Sequence, residues 1–97
     1  MAETSSGKPY TQQGDERTFY SSVAHHELVW HRDKYDREIT ILEGENWQLQ
    51  LDNELPVTLE RGKLYKIPKM KYHRVIKGSG HLKIKIWEDK LIKESNK

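Results

Sequence analysis

The chain contains no cysteine, a single phenylalanine, and no apolar run approaching the roughly 18 residues that cross a bilayer. Disulfides and thiolate ligands are thereby excluded, and any bound metal must sit on nitrogen and oxygen. The opening residues, MAETSSGKPYTQQGDER, hold no apolar core of the kind a secretory signal needs. A soluble, cytoplasmic protein without membrane contact is therefore expected. Nowhere do apolar residues recur with a 3.6-residue period over a helix length, which leaves helices out of the expected fold. No serine nucleophile with a positioned base is recognisable, so covalent hydrolysis is not supported. Gly78-Ser79-Gly80 precedes a strand-like segment and lacks the Gly-Lys-Ser/Thr ending of a phosphate loop.

Ninety-seven residues suit one small domain. The apolar residues, 34% of the chain, lie mostly between positions 19 and 92. This distribution predicts a flexible N-terminal arm over 1–18, a folded domain over 19–90 and a flexible tail over 91–97. Charge is uneven along the chain: residues 1–60 hold 5 basic and 12 acidic side chains, residues 61–97 hold 12 basic and 3 acidic. Strands from the two halves interleaved in one sandwich would bring these charges together as cross-strand neighbours. The lysines lack the Gly-aromatic motifs of RNA-binding sheets, so nucleic acid is not the expected partner.

From Phe19 onward the pattern is strand-like. The segments FYSSVAH, HELVWHRD, REITILE, NWQLQLD, PVTLE, KLYKIP, YHRVIKG and HLKIKIWE follow one another, separated by Gly, Asn, Asp and Pro turn signals. About eight short strands in under 80 residues imply an all-β sandwich or barrel. Leu82, Ile84 and Ile86 alternate with Lys83, Lys85 and Trp87, so one face of the last strand goes to the core. An outer face keeping Leu28, Trp30 or Trp87 would pair with a second subunit, which predicts a homodimer.

The segment ELVWHRDKYDREITILEG, residues 27–44, carries polar residues where a strand should be apolar. On an extended strand His31 and Asp33 leave the same face, together with Glu27 and Val29, while Leu28, Trp30 and Arg32 take the other. An imidazole and a carboxylate side by side in a cavity are half of a metal site. His25 shares the His31 face nearer the rim. Gly44 and Gly62 read as turn residues with positive φ.

Two segments resemble the signature motifs of the cupin superfamily. The first motif runs Gly, five residues, His-x-His, three or four residues, Glu, six residues, Gly; here His31-x-Asp33 takes the His-x-His place and Gly44 the closing glycine. The second runs Gly, five residues, Pro-x-Gly, two residues, His, matched by Gly62, Pro68, Met70 in the glycine place, and His73. The resemblance spans residues 25–87 and implies a double-stranded β-helix, or jelly-roll, barrel. It also implies a divalent metal, Fe(II), Ni(II), Mn(II) or Zn(II), held by His31, Asp33 and His73. Two imidazoles and a carboxylate resemble the triad of non-haem iron oxygenases, which leaves positions open for a small-molecule substrate. The family's glutamate position falls on Arg37 rather than Glu38. Strand parity puts Arg37 inward, where it could clamp an anionic substrate, and Glu38 becomes a further ligand only through a bulge. Gln48 and Tyr72 stand beside Arg37 as candidate substrate-binding residues, parity leaving open whether they line the cavity. Asp33 and Arg37 could instead pair as a buried salt bridge in a metal-free binding barrel.

Overall fold

The computed structural model describes residues 9–24 and 27–89. Eight strands follow in order: β1 (Thr11–Gln13), β2 (Glu16–Phe19), β3 (Arg37–Glu45), β4 (Gln48–Leu51), β5 (Val57–Thr58), β6 (Leu64–Ile67), β7 (His73–Ile76) and β8 (Ser79–Glu88). They build two antiparallel sheets, one ordered β1-β2-β8-β3-β6 and the other β5-β4-β7. The domain is all-β, as the strand pattern implied, and a jelly roll, as the cupin resemblance implied. No helix among the described residues is long and apolar enough to cross a membrane.

Alternation decides what each strand buries. Ile39 and Ile41 of β3, Leu82 and Ile84 of β8, and Leu49 of β4 meet in one core with Phe19, Val23, Leu28, Trp47, Leu59 and Ile67. Trp47 is fully enclosed and spends its indole N–H on the Ser79 carbonyl at 3.2 Å. A side chain at Gly78 would place its Cβ 2.4 Å from the backbone of Glu45, Asn46 and Trp47, so only glycine lets the chain pass there. The acidic and basic halves do interleave. Glu16 lies opposite Lys85, Glu38 opposite Lys66 and Glu43 opposite Lys83.

Two expectations are corrected. Residues 11–18 are not a flexible arm: β1 and β2 form a hairpin on the edge of β8, with Phe19 opposite Leu82. Its two-residue turn is Gly14-Asp15, with Gly14 at φ 63°, and the Asp15 carbonyl accepts the Ile86 N–H at 2.7 Å. Tyr10 packs edge-on against Phe19, ring centroids 5.4 Å apart, which supplies the apolar contact a short hairpin needs. The outer parts of the expected arm and tail, 1–8 and 90–97, lie outside the described residues, as do His25 and His26.

Secondly, of the described residues in the expected strands over 19–25 and 26–33, only Phe19 lies in a strand. β2 ends at Phe19, and the chain turns there with the Val23 N–H on the Tyr20 carbonyl at 3.0 Å. Segment 27–36 is irregular apart from one antiparallel bridge between His31 and His73. Without a ladder the parity argument loses its hold: Leu28 turns into the core while Val29 is exposed. Leu28 therefore does not belong to an outer face, whereas Trp30 and Trp87 remain exposed.

Candidate metal centre

The irregular segment is held in place by backbone bonds to β7 and to the loop before it. His31 and His73 exchange both N–H···O=C bonds, at 2.9 and 2.8 Å, so their side chains leave the same side of the pairing. Two residues on, the Asp33 carbonyl accepts the Met70 N–H at 2.7 Å. The Asp36 carboxylate accepts the Lys69 N–H at 2.8 Å, and its carbonyl accepts the Asp89 N–H at 3.0 Å. These contacts set His31, Asp33 and His73 with one ligand atom each within 4.8 Å of the others. His73 is 3% exposed and the imidazole of His31 stands nearer solvent, their ring centroids 4.3 Å apart.

Hydrogen bonding orients both rings. His31 Nδ1 lies 3.0 Å from the Val29 carbonyl and His73 Nδ1 lies 2.9 Å from the Lys71 carbonyl. A carbonyl only accepts, so Nδ1 carries the proton in each ring, and in the neutral imidazole Nε2 presents a lone pair. Nε2 of His73 sits 3.3 Å from Asp33 Oδ2, a buried oxygen with no hydrogen-bond partner among the described residues. The Arg37 guanidinium lies beside that oxygen at 3.3 Å, but the gap between the two facing acceptors, Nε2 and Oδ2, suits a cation or a proton. The donor chemistry, two imidazoles and one carboxylate, fits a first-row divalent ion. A carbonyl accepting from Nδ1 is what a ligating histidine ordinarily has.

Burial by itself would raise the Asp33 pKa. His73, together with the positive charge of Arg37 beside it, outweighs that and holds the carboxyl below its ordinary value of 3.8. Arg37, at the start of β3, brings Nη1 to 3.3 Å from Asp33 Oδ2 and donates through Nε to Glu88 Oε2 at 3.0 Å. Its Nη2 also pairs with Glu88. Arg37 and Glu88 lie opposite each other in the β3–β8 register, which is why the pair forms.

The cluster lines a cavity of about 460 Å³, walled by Phe19, Leu28, Ile39, Leu49, Ile67, Val75 and Ile84, with Arg17 and Arg37 among its polar lining. Arg37 faces inward, as parity implied. Glu38 does not: it pairs in register with Lys66 and Trp87 and lines no part of the cavity, because the bulges of β3 come after Ile41. Gln48 and Tyr72 are corrected as well. Gln48 alternates between buried Trp47 and Leu49 and so leaves the core face, and Tyr72 is exposed under the Arg32 guanidinium, 5.1 Å from its ring centroid.

No protein-family model matches the sequence. No curated protein matches it either. Solved structures do match. A cupin-2 domain protein from Shewanella frigidimarina shares 26% identity over 81% of this chain and 76% of its own, with a TM-score of 0.52. KdgF from a Halomonas species gives 14% identity, a TM-score of 0.55, and coverage of 87% and 90%. A cupin domain from Bordetella pertussis gives 14%, 0.52, 82% and 88%.

The chain has a small cupin-like fold. Its departures from the cupin motifs now have structural content. Met70, in the place of the motif's glycine, keeps the left-handed backbone at φ 63° that glycine would adopt without strain. Gly62 has φ 87°, as expected of a turn, whereas Gly44, at φ 148°, lies inside β3 at a bulge. Tyr10, Arg17 and Glu88 are among the cavity-region residues that escaped the sequence reading. Two of them sat in the supposed arm, and the Gly14-Asp15 hairpin signal was the clue that could have placed them.

Proposed function

We propose that this cupin-like protein holds one divalent metal on His31, Asp33 and His73 and acts as a metal-dependent, oxygenase-like enzyme on a small anionic molecule. The observation that carries the reading is the buried Asp33 Oδ2, which accepts no hydrogen bond among the described residues, has the Arg37 guanidinium beside it at 3.3 Å, and faces the Nε2 edge of a histidine whose Nδ1 is committed elsewhere. A metal there would supply Lewis-acid or redox chemistry with coordination positions left for substrate. The chain's own residues do the rest. Val29 and Lys71 carbonyls fix the two imidazoles, Arg37 holds the Asp33 carboxylate ionised and in place, and the apolar walls keep water from a bound ligand.

A second reading, a metal-free cupin that binds a small molecule without catalysis, has one observation in its favour: the Arg37 guanidinium already faces Asp33. Elemental analysis of protein purified without tag or chelator, beside the His31→Ala and His73→Ala variants, separates the two. About one equivalent of iron, nickel, manganese or zinc in the parent and none in either variant supports the first reading. A metal-free parent that stays so after anaerobic reconstitution with Fe(II) turns the reading to the second. Exposed Trp87 and Trp30 support a homodimer, which sedimentation of the parent and of Trp87→Lys would test.

A further inference from the structure

We propose that Arg17, carried by the N-terminal hairpin, is the anion-docking residue of the cavity, and that the molecule it takes is a small monocarboxylate with an apolar body. The proposal deepens the ligand-site reading above. Arg37 is poorly placed for that duty, because its guanidinium is engaged by two carboxylates, Asp33 and Glu88. Arg17 differs. It lines the same cavity as the His31–Asp33–His73 cluster, yet no carboxylate lies within 4.0 Å of its guanidinium among the described residues.

What holds Arg17 fixes its head group and leaves its charge unspent. The Tyr10 ring lies under the guanidinium, 3.8 Å from centroid to Cζ, and Nε donates to Gln12 Oε1 at 2.7 Å. Both supports come from the hairpin and the residue just before it, so a planar fork of N–H donors is pre-organised at little further cost in rotamer freedom. Burial lowers the Arg17 pKa, the mark of a guanidinium partly stripped of water. Such a cation gains most from a bidentate oxyanion. Charge selects the class: Asp33 and Glu27 in the same lining, with Asp15 and Glu88 in the adjoining pocket, already outnumber the two arginines, and only Arg17 of the pair lacks a carboxylate within 4.0 Å among the described residues. One more negative charge satisfies it, which favours a carboxylate over a doubly charged phosphate. Beyond it the walls are apolar, Phe19, Leu28, Leu49 and Val75 among them, so the rest of the molecule needs no polar partners.

The test is calorimetric titration of benzoate, benzamide and phenyl phosphate into zinc-loaded full-length protein, parent and Arg17→Met. Methionine keeps an apolar stem on Tyr10 and removes the fork. The expected result is benzoate binding in the parent that weakens about tenfold or more in the variant, with benzamide indifferent to the substitution. Arg17→Lys, which keeps the charge without the fork, should fall between them and serves should the methionine variant fail to fold. Equal benzoate affinity in parent and variants, or no benzoate binding in the parent, overturns the proposal; tighter binding of phenyl phosphate overturns the carboxylate assignment. Zinc is counted in the same samples. A failed metal centre shows as missing zinc, and a failed anion site as an unchanged benzoate affinity.

Discussion

Strand β8 and segment 27–36 contribute to the same cavity by opposite means. β8 pairs on both sides, with β2 and β3, and its alternation holds from Leu82 to Trp87. Segment 27–36 has one bridge, at His31, and is otherwise pinned by bonds to the 69–73 region and to Asp89. The ladder gives β8 stability; single backbone bonds give the segment position. Ligand residues placed on the irregular segment can thus be aimed without regard to parity, while the neighbouring sheet bears the cost of holding them.

Substitutions should separate these roles. Gly78→Ala, at the entry to β8, forces a Cβ into backbone and should cost at least about 3 kcal/mol or prevent folding, read by urea unfolding. Leu82→Ala should cost about 2–5 kcal/mol, since its side chain is fully enclosed, and the folded fraction should still bind metal. Acid should probe the segment next. The folded state holds the Asp33 proton more weakly than the unfolded chain, so its stabilisation is complete above pH 3.8 and lost as pH falls through the lower folded value. Metal-free parent followed by circular dichroism should show that loss, and Asp33→Asn should lack it. Met70→Gly relieves a left-handed methionine but loosens the unfolded chain, so its net effect should lie within about 1 kcal/mol. Smallest of all, His31→Ala in metal-free protein should change unfolding free energy by less than about 1 kcal/mol while removing metal binding.

The same contrast explains what could be read from the sequence. Where a ladder enforces alternation, as at Leu82 and Ile84, period-two patterning picked the core correctly. His31, Asp33 and His73 were legible as a set because two spaced motifs converge, even though the strand assumed to carry His31 and Asp33 is absent. Arg17 and Glu88 were not legible as site residues, for their roles depend on a register between β2, β3 and β8 that no local pattern reveals. Gln48 and Tyr72 failed for a simpler reason: each lies next to an inward residue, Leu49 or His73, and so turns outward.

The most direct measurement is a zinc titration of the ¹⁵N-labelled protein followed through its imidazole nitrogens. His81 provides an internal control, since its Nδ1 accepts the Ser21 N–H at 2.9 Å and its proton therefore sits on Nε2, the reverse of His31 and His73. The expected result is a shift of both His31 and His73 Nε2 resonances that saturates at about one equivalent, with Nδ1–H retained in both and His81 unmoved. Nε2 protonation in metal-free His73, or zinc-induced shifts no larger there than at His81, would contradict the metal centre.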